Sequence, residues 1–252
     1  MVEIKGLSKS YGEHLVLDDL SLRIEKGKIT SFVGANGTGK STLLSIIARF
    51  LKANSGEILL EGQRIDAIKD FDMAKKVAVL KQMNNVHIKL TIRELVSFGR
   101  FPHSKGRLTK DDNAAIDQAI TYLALDEIQH KHIDEISGGQ RQLAFIAMVV
   151  AQDTDYILLD EPLNNLDMKH SVQIMKTLRR LVDELNKTII LVIHDINFAS
   201  CYSDNIVALK GGRVLKNGKT RDIIDPQHLR DIFDIDFDIR EINDQKVCAY
   251  FR

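Results

Sequence analysis

The sequence lacks the features that mark several classes of protein. Its 252 residues include two cysteines, Cys201 and Cys248, too few for a disulfide framework and not spaced as metal ligands. Lysine plus arginine equals aspartate plus glutamate at 35 each, so no global positive field is available to hold nucleic acid. The longest apolar runs, such as 143–151, are far shorter than a bilayer span, and the first residues lack the apolar core of a secretory signal. We therefore expect a protein that is made and kept in the cytosol, with reduced cysteines and no nucleic-acid partner.

The apolar pattern predicts an α/β fold. Apolar residues alternate over 2–4 and 20–24, which is typical of antiparallel strands with one buried face. Continuous apolar runs at 29–33, 156–159 and 189–193 predict buried strands. Because these strands alternate with helical patterns, we expect a parallel central sheet.

Three segments are predicted to be helical, two of them from the spacing of their apolar residues. The first predicted helix follows the run 29–33, and its apolar face comprises Leu43, Leu44, Ile47, Phe50 and Leu51. A second lies before 189–193, with Val172, Met175, Leu178, Val182 and Leu185 on its apolar face. Strand-like runs are absent from 82–148, where Thr91 and Glu94 form a capping-box pattern. This segment is therefore predicted to be mostly helical and inserted between strands.

A phosphate-binding loop is predicted directly after the run 29–33. It matches the pattern G-x-x-x-x-G-K-[ST] in full, with Gly34, Ala35, Asn36, Gly37, Thr38, Gly39, Lys40 and Ser41. Glycines allow backbone N–H groups to curl around phosphate oxygens, and the following helix adds its positive N-terminal end. Lys40 supplies a charge to the β- and γ-phosphates, and Ser41 offers a hydroxyl to Mg²⁺.

Two carboxylates end the predicted strand 156–159. Ligands of parallel α/β sheets bind at the carboxyl ends of strands, which is where Asp160 and Glu161 lie. Asp160 is placed to hold the Mg²⁺ shell, and Glu161 to polarise a water that attacks the γ-phosphate. A strand ending in Asp-Glu is common, and its pairing with the phosphate loop favours the catalytic interpretation.

A third segment, 137–142, reads Ser-Gly-Gly-Gln-Arg-Gln and precedes an apolar helix. Ser137 is a suitable N-cap, and the two glycines leave backbone N–H groups open to an anion. Taken alone, these residues support a simple capped helix and an anion site about equally.

The run Ser-Gly-Gly-Gln between the phosphate loop and the Asp-Glu strand resembles the signature motif of ABC ATPases. The resemblance covers essentially the whole chain, although Ile136 stands where leucine is usual. It implies a P-loop NTPase of the ABC ATPase type, with a mixed sheet core, an antiparallel β subdomain and an inserted helical subdomain. We expect one domain over 1–252, with the helical subdomain at about 83–148. In the family the signature segment closes over ATP bound to the opposite subunit, which assigns that role to Ser137, Gly138, Gly139 and Gln140.

Other positions resemble further family motifs. Tyr11 is similar to the aromatic platform that stacks on adenine, and the nucleotide-binding set then extends through Thr42. Gln82 resembles the glutamine that touches Mg²⁺ and senses the membrane subunit. His194 resembles the switch histidine that contacts the γ-phosphate. In the dimer-communication loop Asp167 agrees with the family, as does Leu166, whereas Asn164 and Asn165 replace the common Ser-Ala.

The resemblance also implies cofactors and partners. ATP and Mg²⁺ would be bound by each copy of a homodimer, and ATP would hold the two copies together until hydrolysis. Segments 91–103 and 229–236 resemble those of ferric-siderophore, haem and cobalamin importers, which makes uptake of an iron–siderophore complex the expected function, with haem and cobalamin as the alternative cargoes. Two transmembrane permease subunits and an extracytoplasmic substrate-binding protein are therefore expected as partners. The chain would lie on the cytoplasmic side of the cell membrane, bound through the permeases, because no lipid-anchor motif is present.

Three alternatives share some of these motifs. An ATPase of iron–sulfur cluster assembly carries every nucleotide motif, and co-purification with a permease separates it from a transporter subunit. ABC proteins of DNA repair or translation usually carry two nucleotide domains or basic arms, whereas this chain has one phosphate loop and zero formal net charge. A subunit that binds ATP without hydrolysing it is disfavoured because Glu161 and His194 are both present.

Overall fold

A computed structural model describes residues 1–81 and 89–251. The strands are β1 (Val2–Tyr11), β2 (His14–Ile24), β3 (Ile29–Val33), β4 (Ser55–Leu60), β5 (Gln63–Arg64), β6 (Val77–Leu80), β7 (Tyr156–Asp160), β8 (Thr188–Val192), β9 (Asn205–Lys210), β10 (Arg213–Lys219), β11 (Asp238–Ile242) and β12 (Gln245–Ala249). The helices are α1 (Lys40–Ile47), α2 (Asp70–Lys76), α3 (Ile92–Ser97), α4 (Phe101–Ser104), α5 (Lys110–Tyr122), α6 (Gly138–Ala151), α7 (Met168–Leu185), α8 (Ile196–Tyr202), α9 (Thr220–Ile223) and α10 (Pro226–Phe233). None of the helices in the described ranges is long and apolar enough to cross a bilayer.

The chain divides into two compact units. The central unit is Lys69–Lys187, and the flanking unit joins Met1–Ile68 to the chain from Thr188 onwards. The predicted boundaries of the helical subdomain, 83–148, fall within the central unit and stay a prediction.

The flanking unit contains two groups of strands. An antiparallel sheet has the order β2-β1-β4-β5. The second group has the order β10-β9-β3-β8, in which β3 is parallel to both β9 and β8, and β10 is antiparallel to β9. All five residues of β3 and of β8 are buried, including the polar Thr30, Ser31 and Thr188. The predicted mixed and antiparallel sheets are both confirmed.

Two side chains of α8 form hydrogen bonds with the backbone of β12. Asn197 accepts a hydrogen bond from the N–H of Cys248 (2.7 Å) and donates one to its carbonyl oxygen (3.1 Å). Ser200, one turn further along α8, donates to the carbonyl oxygen of Lys246 (2.6 Å).

Both cysteines are free thiols, and burial raises the pKa of Cys248 to about 11. A thiol with a raised pKa is a poor nucleophile at neutral pH.

The central unit consists of a short parallel pair of strands and a set of helices. β6 pairs with β7 over the whole of β6, with Leu80 opposite Leu159. Between these two strands the described residues form helices, turns and one isolated bridge, Thr91 to His132, so the predicted helical character is confirmed. The capping box of Thr91 and Glu94 is present at the start of α3.

One of the two helix predictions is wrong in part. The first helix was expected to include Phe50 and Leu51, but α1 ends at Ile47. Arg49 has a left-handed φ of 61°, and the N–H groups of Phe50 and Leu51 then bond the carbonyl oxygen of Ser45, which leaves Phe50 exposed. In α7 all five predicted residues are helical, and Leu185, the last residue of the helix, is exposed.

Candidate functional site

The predicted site residues fall into two groups, one in each unit. Residues 34–42, Tyr11 and His194 belong to the flanking unit, whereas 137–140 and 160–167 belong to the central unit. Each group is described within its own unit.

The phosphate loop has a backbone that two of its glycines make possible. Gly34 follows β3 with φ 138°, and a Cβ there would lie 2.2 Å from the carbonyl oxygen of Leu209 on β9. Gly39 has φ 95°, and a Cβ there would lie 2.5 Å from a methyl carbon of Leu17. Both positions therefore require glycine for two reasons, the left-handed φ and the absence of space for a side chain.

Positive charge is concentrated inside this loop. Lys40 is 5% exposed, and its Nζ donates to the carbonyl oxygens of Gly34 (2.9 Å) and Ala35 (2.8 Å). The hydroxyl of Thr38 also donates to the carbonyl oxygen of Ala35 (2.9 Å), which closes the turn. Helix α1 begins at Lys40, and its N-cap Gly39 has no side chain to occupy the first amides. A buried ammonium beside a helix N-terminus fits a phosphate group.

His194 lies at the same edge of the sheet as the phosphate loop. β3 and β8 are parallel neighbours, with Phe32 opposite Val192. Gly34 lies two residues after Phe32, and His194 lies two residues after Val192. Both residues therefore lie at the carboxyl ends of adjacent strands. The exposed His194 is followed by Asp195, whose carboxylate caps α8.

Tyr11 ends β1 opposite His14 and is 49% exposed. The ammonium of Lys9 lies 5.3 Å from the centre of its ring. An exposed ring at the end of a strand is suitable for stacking on a base.

In the central unit, Asp160 is the last residue of β7, and Glu161 follows with a left-handed φ of 52°. Such a backbone is uncommon for a glutamate and is a form of local strain that clusters at functional sites. Asn164 Nδ2 donates a hydrogen bond to Glu161 Oε2, and the Asn164 N–H lies 3.3 Å from the Glu161 carbonyl oxygen. The sequence singled out Asn164 only as a departure from the family pattern, so this contact was missed. A carboxamide three residues after a carboxylate was the available signal.

The signature segment, Ser137–Gln140, begins α6 with a complete capping box. Ser137 Oγ accepts from the Gln140 N–H (3.2 Å), and Gln140 Oε1 accepts from the Ser137 N–H (3.1 Å). Gln142 Nε2 donates to the carbonyl oxygen of Pro162 (3.0 Å), which ties α6 to the turn after Glu161. Within this unit the structure therefore joins two of the predicted motifs.

Asp167 is the N-cap of α7. Its carboxylate accepts from the backbone N–H of His170 (2.8 Å) and lies 2.8 Å from Nδ1 of the same residue. These two hydrogen bonds hold the pKa of Asp167 below its usual value, so the carboxylate is charged at neutral pH. Gln82, predicted as a metal contact, lies outside the described residues.

Comparison with known proteins gives consistent matches. Residues 17–164 match the family described as ABC transporter. The chain is 59% identical over 251 residues to the petrobactin import ATP-binding protein YclP of Bacillus subtilis (strain 168), with 100% of both chains covered. It is 45% identical over 239 residues to the petrobactin import ATP-binding protein FatE of Bacillus anthracis, covering 95% of this chain and 96% of that protein. The ATP-binding cassette MJ0796, in its dimeric post-hydrolysis structure with ADP and Pi, matches with a TM-score of 0.77 and 31% identity, covering 88% of this chain and 99% of that chain.

Proposed function

Because the chain belongs to the ABC transporter family, as one of its ATP-hydrolysing subunits, we propose that it energises the import of an iron–siderophore complex across the cell membrane. The observation that supports ATP binding is the loop 34–41, where the buried ammonium of Lys40 lies beside a helix N-terminus. Both petrobactin import relatives support the cargo class, and the identity of 59% makes petrobactin the first siderophore to test.

ATP would be held mainly by the flanking unit. Backbone amides from Gly34 to Thr42 and the ammonium of Lys40 bind the phosphates, while the ring of Tyr11 stacks on adenine. Mg²⁺, when bound, neutralises charge on the β- and γ-phosphates. The hydroxyl of Ser41, the carboxylate of Asp160 and the amide oxygen of Gln82 are the protein ligands that we propose for it. Hydroxyl, carboxylate and amide oxygens are the donors that Mg²⁺ prefers.

Hydrolysis needs a base and charge stabilisation. The Glu161 carboxylate orients the attacking water and takes its proton, and the His194 imidazole contacts the γ-phosphate. Lys40 stabilises the charge that develops on the transferred group. Phosphoryl transfer to water proceeds by positioning and electrostatics, without a covalent enzyme intermediate.

A second copy of the chain would complete each site. The exposed Ser137 and Gly138 present a hydroxyl and backbone amides at the start of α6, where a helix favours an anion. In the dimer that we propose, Ser137, Gly138, Gly139 and Gln140 of each copy face the nucleotide held by the other copy, and Asp167 lies in the loop that connects the two sites. The cassette MJ0796, which is 31% identical, is dimeric with ADP and Pi bound, and this supports a dimer of two copies.

The partners that convert dimer closure into transport are two permease subunits and an extracytoplasmic binding protein. The chain would be peripheral, held at the cytoplasmic side of the membrane through the permeases. An ATPase of iron–sulfur cluster assembly would not co-purify with a permease.

Uptake of labelled iron tests the cargo. Cells that lack this chain are expected to lose import of iron–petrobactin, and the wild-type chain, but not Lys40→Ala, restores it. A hydroxamate siderophore serves as the matched cargo. Loss of hydroxamate uptake alone would move the assignment to that siderophore, and unchanged uptake of every siderophore would contradict an import role.

Replacing Asn164 tests whether its amide positions the base. We expect Asn164→Ala to lower kcat about tenfold, equivalent to roughly 1.4 kcal/mol in the activation barrier, because Glu161 loses a hydrogen-bond donor. Asn113→Ala is the matched control, since that half-buried residue donates its amide hydrogen bond to the Thr109 carbonyl oxygen at the start of α5. Steady-state ATPase assays measure both variants, and equal kcat values for them would contradict the positioning role.

A further inference from the structure

His170, a residue outside every predicted motif, lies against the signature segment. A Cβ on Gly139 would lie 2.2 Å from Cγ, 2.3 Å from Cδ2 and 2.7 Å from Nδ1 of the His170 ring. A Cβ on the neighbouring Gly138 would have no such neighbour within 4 Å. Neither glycine has a positive φ, so backbone conformation requires glycine at neither position. The three nearest atoms to a side chain at Gly139 all belong to the His170 ring, so this ring is the first obstacle within the subunit.

The ring of His170 is held in one orientation. Its Nδ1 and its backbone N–H both lie 2.8 Å from the same oxygen of Asp167. An ionised carboxylate only accepts hydrogen bonds, so Nδ1 carries the hydrogen. A ring fixed at its own helix N-terminus and packed on Gly139 acts as a rigid spacer between α7 and α6.

This spacer connects two segments that the proposed function uses together. The signature segment starts α6, and Asp167 starts α7, while Gln142 bonds the Pro162 carbonyl oxygen between them. We propose that His170 is a positioning residue that sets the separation of the signature segment from the Asp167 loop in each copy. The proposal rests on the proposed function, in which both segments act at the nucleotide of the other copy.

Rescue of one substitution by another tests this role. Gly139→Ala alone is expected to lower kcat about 100-fold, the scale of loss when a reacting arrangement is displaced by about 1 Å. Adding His170→Ala removes the obstructing ring, and the double variant is expected to be about tenfold faster than Gly139→Ala, because the start of α6 can return. The proposal is overturned if the double variant is as slow as Gly139→Ala.

Gly138→Ala provides the matched comparison. Adding His170→Ala to Gly138→Ala is expected not to raise kcat, because no atom of the His170 ring lies within 4 Å of a side chain at position 138. Equal recovery in both glycine variants would contradict a specific contact with Gly139. Thermal unfolding of each purified variant shows whether a low rate reflects a smaller folded fraction.

His170 variants separate positioning from general stability. His170→Ala is expected to lower kcat about tenfold with little change in KM for ATP, since the phosphate loop is unaltered. His170→Asn retains an amide donor near the Nδ1 position and is expected to regain most of that loss. A rise in KM without a change in kcat would overturn the proposal. Hydrolysis by the wild type tests the proposed function separately, so an active wild type without rescue refutes only the role of His170.

Discussion

Glu161→Gln is expected to lower kcat by about 10²- to 10⁴-fold, the usual contribution of a positioned general base. The amide has the shape of the carboxylate but cannot take the proton of the attacking water. Glu161 follows β7 with a left-handed backbone and accepts a hydrogen bond from Asn164, so its carboxylate is held at the strand end. Binding of MgATP should be unchanged, because Lys40 and the phosphate loop lie in a different segment of the chain.

An exposed glutamate in the same unit provides the control for this substitution. Glu184 on α7 bonds Arg180 and Tyr122 at the surface, and Glu184→Gln is expected to keep the wild-type kcat. Phosphate release from MgATP measures all three proteins. Wild-type hydrolysis by Glu161→Gln would show that another residue supplies the base.

Arg100→Ala is expected to lower the free energy of unfolding by about 3–5 kcal/mol, the cost of leaving one partner of a buried ion pair alone. Arg100 is 8% exposed and Asp112 is 3% exposed, and Arg100 Nε lies 2.9 Å from Asp112 Oδ1. Arg100 Nη1 also donates to the carbonyl oxygen of Ala151, the last residue of α6. The substitution therefore leaves a buried carboxylate without its cation and a helix carbonyl without a donor.

Urea unfolding measures this loss against a matched pair at the surface. Arg93 and Asp117 are half-buried and exposed, respectively, so Arg93→Ala should cost less than about 1 kcal/mol. Equal losses for the two arginines would contradict a special role for the buried pair.

Acid should weaken the same contact in a defined range. Hydrogen bonds from Thr109, followed by contact with Arg100, lower the pKa of Asp112 to about 2. The pKa of Asp112 in the folded protein lies below the ordinary value of about 3.9. The ionised carboxylate therefore contributes fully to the free energy of unfolding above that pH, and this contribution is lost as the pH falls towards 2.

The sequence predicted those parts of the structure that depend on local pattern. The strand at 29–33, the capping box at Thr91 and the N-cap at Ser137 all appear as predicted. These features are encoded by neighbouring residues, through the pattern of burial and the capping side chains.

Two features were missed or misplaced, one because of a local backbone conformation and the other because of a contact distant in sequence. Phe50 continues the helical spacing of α1, yet the left-handed Arg49 ends that helix first. His170 carries no motif of its own, and its role is visible only because α7 brings it against Gly139. The role of the signature segment at the nucleotide came from family resemblance, since spacing alone left Ser137 as either a cap or an anion site.

The most direct test of the account is the mass of Glu161→Gln in solution with and without MgATP, measured by light scattering after size-exclusion chromatography. We predict a monomer without nucleotide and a stable dimer with MgATP. Each of the two ATP molecules is bound by both copies of the chain, and this variant hydrolyses neither. Adding Lys40→Ala to the same protein should abolish the ATP-dependent dimer. A mass that ATP does not change, in a protein shown to bind ATP, would contradict the proposal that two copies share each nucleotide.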